Sequence, residues 1–145
     1  MNIKIKTMIG AVIGLIGGYL ISHYMVSPFL FGSPQSKQDT LLEAIQQEIQ
    51  AEKNQLPLRI DEHTTLISVD QRDLHIAYTY TLNDVPNEQN SYLEFSKEKT
   101  KQLCTTLKSG LAMDIKYDYF YRDQSGQPLF SFPINKDACS ITSQT

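Results

Sequence analysis

The chain has 145 residues, of which 41% are hydrophobic and 20% are charged, with a formal net charge of −3. After residue 33 it carries 11 Lys and Arg against 16 Asp and Glu, which gives that region a formal charge of −5 and no basic cluster. Nucleic-acid binding depends on Lys and Arg that neutralise phosphates, so this composition argues against a nucleic-acid partner. The length predicts one small domain beside the N-terminal segment.

An apolar run without charged residues occupies positions 7–26. Twenty helical residues span about 30 Å, the thickness of the hydrocarbon core of a bilayer. Lys4 and Lys6 precede the run and no basic residue follows until Lys37, which predicts a cytoplasmic N-terminus (residues 1–6) and an exported remainder. We therefore predict a single-pass anchor at residues 7–27, in the inner membrane and in contact with the lipid bilayer. The alternative is a cleaved signal peptide, which begins in the same way.

Small residues recur at every fourth position of this run: Gly10, Gly14, Gly18 and Ser22. On a helix they share one face, where a second helix can approach closely. We predict helix pairing along this row, with a second copy or another membrane protein. The alternative is that glycine is simply common in membrane helices.

Residues 28–55 read as a linker followed by a polar helix from about residue 39 to residue 53. Its apolar residues form a narrow stripe made of Leu41, Leu42, Ile45 and Ile49. A stripe this narrow is typical of a stalk or of a helix at the edge of a domain. Leu56-Pro57 ends the helical pattern.

Residues 56–139 are predicted to form the exported domain, which begins with two strands. Residues 58–69 form the first strand, and the turn-rich segment 70–73 follows it. Residues 74–82 give the clearest strand, because apolar and polar side chains alternate with a period of two. The pair predicts an antiparallel hairpin with one face on the core.

A second helix is predicted from Ser91, where Ser91 and Glu94 match a capping box, to a stop at Gly110. A second hairpin follows, with strands at 113–122 and 128–134 and a turn at 123–126. Pro133 cannot donate a backbone hydrogen bond, so the last strand is predicted at a sheet edge. Residues 140–145 read as a flexible tail. The domain is thus predicted to be α+β, in the order α-β-β-α-β-β, with helices packed on an antiparallel sheet.

Two cysteines, Cys104 and Cys139, lie on the predicted exported side. Oxidising compartments favour disulfides, and two cysteines allow one internal pairing. We predict a Cys104–Cys139 disulfide; the alternative is a pair of free buried thiols.

A set of positions between residues 56 and 139 resembles a pattern found in small, membrane-anchored or exported bacterial domains of unassigned function. It comprises Leu56-Pro57, Asp61, Thr65-Leu66, Tyr78-Thr79-Tyr80, Cys104, Gly110, Tyr117-x-Tyr119 and Asp137-x-Cys139. The resemblance implies a bacterial periplasmic domain with a disulfide between a helix and the C-terminus. It implies no catalytic residue, metal or cofactor.

Catalytic chemistry has little basis in this sequence. The histidines His23, His63 and His75 have no ligand-like spacing, and no phosphate loop or dinucleotide motif is present. The densest polar cluster, Asp61-Glu62-His63, reads as a charged turn, with a metal or acid–base site as the alternative. We therefore predict no enzyme activity, no metal and no cofactor.

Tyrosine is the remaining unusual feature, since Tyr117, Tyr119 and Tyr121 alternate on one strand. Tyrosine suits strands, which favours a place in the core for these three residues. Tyrosine is also enriched at protein interfaces, so the alternative is that they are interface residues. The sequence favours a non-catalytic, partner-binding or assembly protein of an envelope complex, with a membrane or periplasmic protein partner. The alternative function is a membrane-anchored periplasmic immunity or inhibitor protein that neutralises a toxin or hydrolase.

Overall fold

The structure is a computed structural model that describes residues 34–84 and 89–142. These residues form, in chain order, α1 (Pro34–Lys53), β1 (Leu58–Arg59), β2 (Thr64–Arg72), β3 (His75–Leu82), α2 (Gln89–Thr106), α3 (Lys108–Ala112), β4 (Lys116–Arg122), β5 (Pro128–Ile134) and α4 (Lys136–Thr142). The predicted α+β class, with helices packed on a sheet, is confirmed. The predicted anchor at residues 7–27 lies outside the described residues. Within the described ranges, no helix combines the length and the hydropathy that crossing a bilayer requires.

The five strands form one sheet in the order β1-β2-β3-β4-β5. Both predicted hairpins are present, because β2 pairs with β3 and β4 pairs with β5 in antiparallel fashion. The prediction of a wholly antiparallel sheet is wrong, since β3 and β4 are parallel, with Tyr78 opposite Tyr119. The reason is the connection: α2 and α3 carry the chain back along the sheet, and such a crossover joins parallel neighbours.

A turn at Asp61 divides the first predicted strand. The Asp61 Oδ1 atom accepts hydrogen bonds from the backbone N–H groups of His63 and Thr64, at 2.8 and 2.7 Å. The chain therefore reverses between the two-residue β1 and β2. β2 then continues to Arg72, which moves the predicted turn to Asp73, a residue with a positive φ of 52°.

The first helix belongs to the core of the domain, which corrects the stalk prediction. It begins at Pro34, earlier than predicted, and it packs on β2. Leu41, Ile45 and Ile49 recur at every fourth position, so they share one face and all three are buried. A stripe this narrow is enough for core packing because the sheet supplies large residues opposite it.

The second helix and the tail also differ from the prediction. α2 begins before Ser91, so the proposed capping box lies inside the helix. Gly110 is buried within α3 and does not end the helical region. Residues 140–142 of the predicted flexible tail are part of α4, and the remainder of that tail lies outside the described residues.

The inner face of the sheet and the helices share one core. The inward residues of the central strands alternate with a period of two, as predicted, and they pack with buried residues of α1, α2 and α3. The buried hydrophobic residues are Leu41, Ile45, Ile49, Leu66, Val69, Ile76, Tyr78, Tyr80, Leu103, Leu107, Leu111, Ile115, Tyr117, Tyr119, Tyr121, Phe132 and Ile134. α4 joins the same core through Cys139.

Candidate interaction site

The three tyrosines considered as possible interface residues are in the core, which corrects that alternative. Tyr117, Tyr119 and Tyr121 are each at most 3% exposed, because they occupy the inward positions of β4. A side chain enclosed in this way cannot contact a partner while the fold is intact. Their predicted place in the core is the one observed.

Two of these rings, Tyr119 and Tyr121, belong to a stacked arrangement that we call the aromatic layer. Its members are Tyr78, Tyr80, Tyr119, Tyr121, Phe130 and Phe132. The register aligns Tyr78 with Tyr119 and Phe132, whose ring centroids lie 5.4 Å apart at each step. Tyr80, Tyr121 and Phe130 form the second row, at 5.0 and 4.6 Å. Stacked aromatic pairs contribute about 0.5–1.5 kcal/mol each beyond the area they bury, so this layer holds the three strands together.

The outer face of the sheet carries the exposed apolar residues. Phe120 points to the face opposite Tyr119 and Tyr121 and is 38% exposed; Ile67, at the register shift in β2, is 41% exposed. Phe120 lies opposite Thr79, which in turn pairs with Ser68. We call Ile67, Thr79 and Phe120 the outer patch.

No helix of the described residues covers the outer patch. The buried hydrophobic residues of α1, α2 and α3 all belong to the core on the inner face. The outward residues around the patch include the small Ala77, Thr81 and Ser131 and the charged Asp118 and Arg122 of β4. Two exposed apolar side chains with a charged rim make this face the candidate surface for protein contact.

A histidine–carboxylate pair lies beside the outer patch. The His75 Nε2 atom is 2.6 Å from the Asp118 Oδ2 atom, and His75 remains half exposed. The strand partners of Asp118 are Ala77 and Pro133, neither of which offers a nucleophile. The pair orients two polar side chains at the rim of the patch, and His75 is a surface residue.

Metal binding finds no support in the described ranges. They contain no group of three or more His, Cys, Asp or Glu side chains that could hold a metal ion. Asp61, Glu62 and His63 form the turn between β1 and β2, in agreement with the predicted charged turn.

Two carboxyl groups that sequence reasoning missed lie on the inner side of α1. Glu52 is 8% exposed, and one oxygen of Glu48 and one of Glu52 are inaccessible and have no hydrogen-bond partner among the described residues. Burial raises the pKa of Glu48 to about 8, with a further contribution from Glu52, and burial raises the pKa of Glu52 to about 7. The available signal was position, because Glu48 and Glu52 follow Leu41 and Ile45 by seven residues, or two helical turns, and so lie near the same face.

The cysteines are brought together as predicted. Cys104 in α2 and Cys139 in α4 form a disulfide, with their Cα atoms 5.5 Å apart. The bond ties the C-terminal helix to the helix that packs on β5. The predicted helix-packing residues Gly10, Gly14, Gly18 and Ser22 lie outside the described residues.

Comparison with known proteins places this fold among small bacterial domains. No protein-family model and no curated protein matches the chain. The pilotin EpsS of the Vibrio vulnificus type 2 secretion system matches with a TM-score of 0.57 at 15% identity, over 72% of this chain and 96% of its own. The type II secretion pilotin AspS of Vibrio cholerae matches with a TM-score of 0.54 at 18% identity, over 74% of this chain and 100% of its own.

A third solved structure is that of a Pseudomonas aeruginosa protein inferred to be secreted. Its TM-score is 0.59 at 11% identity, over 75% of this chain and 99% of its own. These three proteins share the fold of residues 34–142 at identities too low to indicate more than architecture. The chain thus has the fold of the type II secretion pilotins.

Proposed function

We propose that this protein is a non-catalytic assembly subunit of an envelope complex, and that it acts in a type II secretion system by binding another protein. The observation that carries the proposal is the fold, which matches nearly the whole length of two pilotins of such systems. The sheet and its helices form a packed core in which no catalytic constellation stands out. Binding is therefore the activity best supported for this domain.

The proposal includes the location of the domain. Residues 7–27 hold it at the inner membrane with the N-terminus in the cytoplasm, and residues 34–142 lie in the periplasm. The disulfide supports this side of the membrane, because such bonds persist in oxidising compartments.

The contact surface in this proposal is the outer patch. Phe120 and Ile67 present exposed apolar area, and the threonines and alanine beside them leave room for another chain to approach. Aromatic residues at the centre of an interface contribute much of its binding energy. Removing the Phe120 ring should therefore weaken the complex while leaving the inner core unchanged.

Site-specific photocrosslinking in the source cells tests this function. A photoreactive residue at position 120 should yield an adduct that contains a component of the type II secretion system. The matched position is Ile141, which is 72% exposed on α4 and distant in sequence from the patch; the same probe there should give little adduct. Phe120→Ser should abolish co-purification of that component, and Ile141→Ser should retain it, with both variants melting near the wild type.

The identity of the crosslinked protein tests the proposed function, and the position that captures it tests the proposed contact surface. An adduct with a toxin or a hydrolase would replace the assembly role with that of an immunity or inhibitor protein. An adduct of twice the chain mass would identify a second copy as the partner. A secretion component captured equally well from positions 120 and 141 would keep the function and reject the outer patch.

A further inference from the structure

The inner face of α1 is apolar in its first half and carries two carboxyl groups in its second half. Leu41, Ile45 and Ile49 bury apolar side chains against the sheet, whereas Glu48 and Glu52 occupy the second half of the same face. The two carboxyl groups are four residues apart, so they lie one helical turn from each other. A helix that packs on a core normally presents no carboxyl group there unless it is paired.

Neither carboxyl group has such a partner among the described residues. Glu48 Oε1 and Glu52 Oε2 are inaccessible and make no hydrogen bond, and no ion pair within the described ranges involves either residue. The Tyr117 hydroxyl, from a residue only 1% exposed, is also without a hydrogen bond. Three enclosed polar atoms without partners would be costly if the carboxyl groups were charged.

The groups that face these carboxyls are tyrosines and apolar side chains. A charge on Glu52 acts on Tyr78 and Tyr80 of β3 and on Tyr119 of β4. A charge on Glu48 acts on Tyr117 of β4, and Glu52 acts on Glu48. β2, on which α1 packs, contributes Leu66 and Val69 to the core. No basic residue is among the causes of the raised carboxyl pKa values.

The sign of the pH effect follows from these surroundings. In the unfolded chain both carboxyls lose their protons near the ordinary pKa of 4.5, whereas in the fold the pKa values are about 7 for Glu52 and about 8 for Glu48. Between these limits the folded state binds more protons than the unfolded state. Raising the pH from about 4.5 to 8 therefore removes stability, and above that range the two groups contribute no further pH dependence.

We propose that the packing of α1 on the sheet is a proton-dependent clasp, closed when Glu48 and Glu52 are both protonated. As the two groups ionise, the C-terminal half of α1 separates from the sheet, and the aromatic layer beneath it becomes accessible to solvent. This inference does not depend on the proposed function, because it concerns the interior of the domain and leaves the outer patch in place.

Equilibrium unfolding in urea at pH 6 and pH 9, on the full-length protein, tests the clasp. Between pH 6 and pH 9, the equilibrium constant for unfolding should increase in the wild type by a factor at least about ten times larger than in Glu48→Gln/Glu52→Gln. The reason is that each pKa unit of difference between the folded and unfolded states corresponds to a factor of ten. The wild type and the double variant differ only at positions 48 and 52, so every other group of the chain is common to both proteins. Glu43→Gln, on the exposed side of α1, is the matched control and should behave like the wild type.

Tyrosine fluorescence gives a second readout, since the chain has eight tyrosines and no tryptophan. Quenching by acrylamide should increase between pH 6 and pH 8.5 in the wild type and stay constant in the double variant. The protection factors of the α1 amides, which correct for the intrinsic rise of hydrogen exchange with pH, should fall over the same interval in the wild type and stay constant in the double variant. Equal pH dependence of stability in the wild type and the double variant would overturn the proposal, as would unchanged protection factors in α1 of the wild type.

Discussion

The absence of a side chain at Gly110 leaves room in the core for the ring of Tyr117. A Cβ atom at position 110 would collide with the Tyr117 hydroxyl, and it would also lie 3.2 Å from the Cζ atom of that ring. The ring cannot retreat easily, because the register places Tyr117 between Ile76 and Ile134, which are both fully buried. Glycine is required here for close approach, and this accounts for a glycine inside α3.

Gly110→Ala should lower the free energy of unfolding by about 1–3 kcal/mol, the usual range for an overpacked core. Urea denaturation measures this loss. The exposed neighbour provides the control, because Ser109→Ala should change the stability by no more than about 0.5 kcal/mol.

A double-mutant cycle locates the cause of that loss. Tyr117→Phe removes a hydroxyl that makes no hydrogen bond, so alone it should be neutral or stabilising. Combined with Gly110→Ala it should restore much of the stability, since the colliding atom is gone. Additive effects of the two substitutions would show that the steric explanation is wrong.

The disulfide matters at the scale of the elements, because it fixes α4 against α2. The cysteines are 35 positions apart in the sequence, and closing a loop of that size in the unfolded chain corresponds to roughly 3–4 kcal/mol of stabilisation, although the mechanism is model-dependent. α4 has seven residues and little buried area of its own, so its attachment depends on this bond.

Cys104→Ser and Cys139→Ser should therefore lower the melting temperature sharply and by the same amount, as measured by thermal unfolding. The double substitution should add nothing to either single one. Unequal effects of the single variants would contradict a shared structural role, and the addition of reductant should leave all three variants unchanged.

Over the whole molecule, the alternation of side chains within each strand could be predicted from the sequence, whereas the direction in which β3 and β4 pair could not. The period of two in β3 and β4 identified the inward tyrosines, because alternation is a property of a single strand. The parallel pairing of β3 with β4 depends on where α2 and α3 return the chain, which no local pattern records.

The candidate site was missed for a related reason. The tyrosines of β4 are numerous but buried, whereas the exposed apolar residue of that strand is Phe120. It is the apolar member of an outward series whose other members are Lys116, Asp118 and Arg122. An apolar residue at an outward position is a weak signal until the sheet is known to lack a covering helix. The sequence also did not predict the burial of Glu48 and Glu52, because charged residues on a helix are usually exposed.

The placement of the domain relative to the membrane is also a whole-molecule property. If Lys4 and Lys6 hold the N-terminus in the cytoplasm, alkaline phosphatase fused after Thr145 should be active and a cytoplasmic reporter at that position should not. Mass spectrometry should then find the chain at its full mass of 16.5 kDa. A product shorter by about 26–33 residues would identify residues 7–27 as a cleaved signal peptide, in line with the length of such segments.

The Cys104–Cys139 bond has a mechanical consequence for this domain. It encloses residues 105–138, which include β4 and β5. Tension applied between the two ends of the chain passes directly through the sulfur atoms, so the enclosed segment carries none of it. The maximum extension is shortened by about 110–120 Å, given the reach of an extended residue. Pulling can therefore draw out β2 and β3, whereas β4 and β5 can lose their neighbours but cannot be extended.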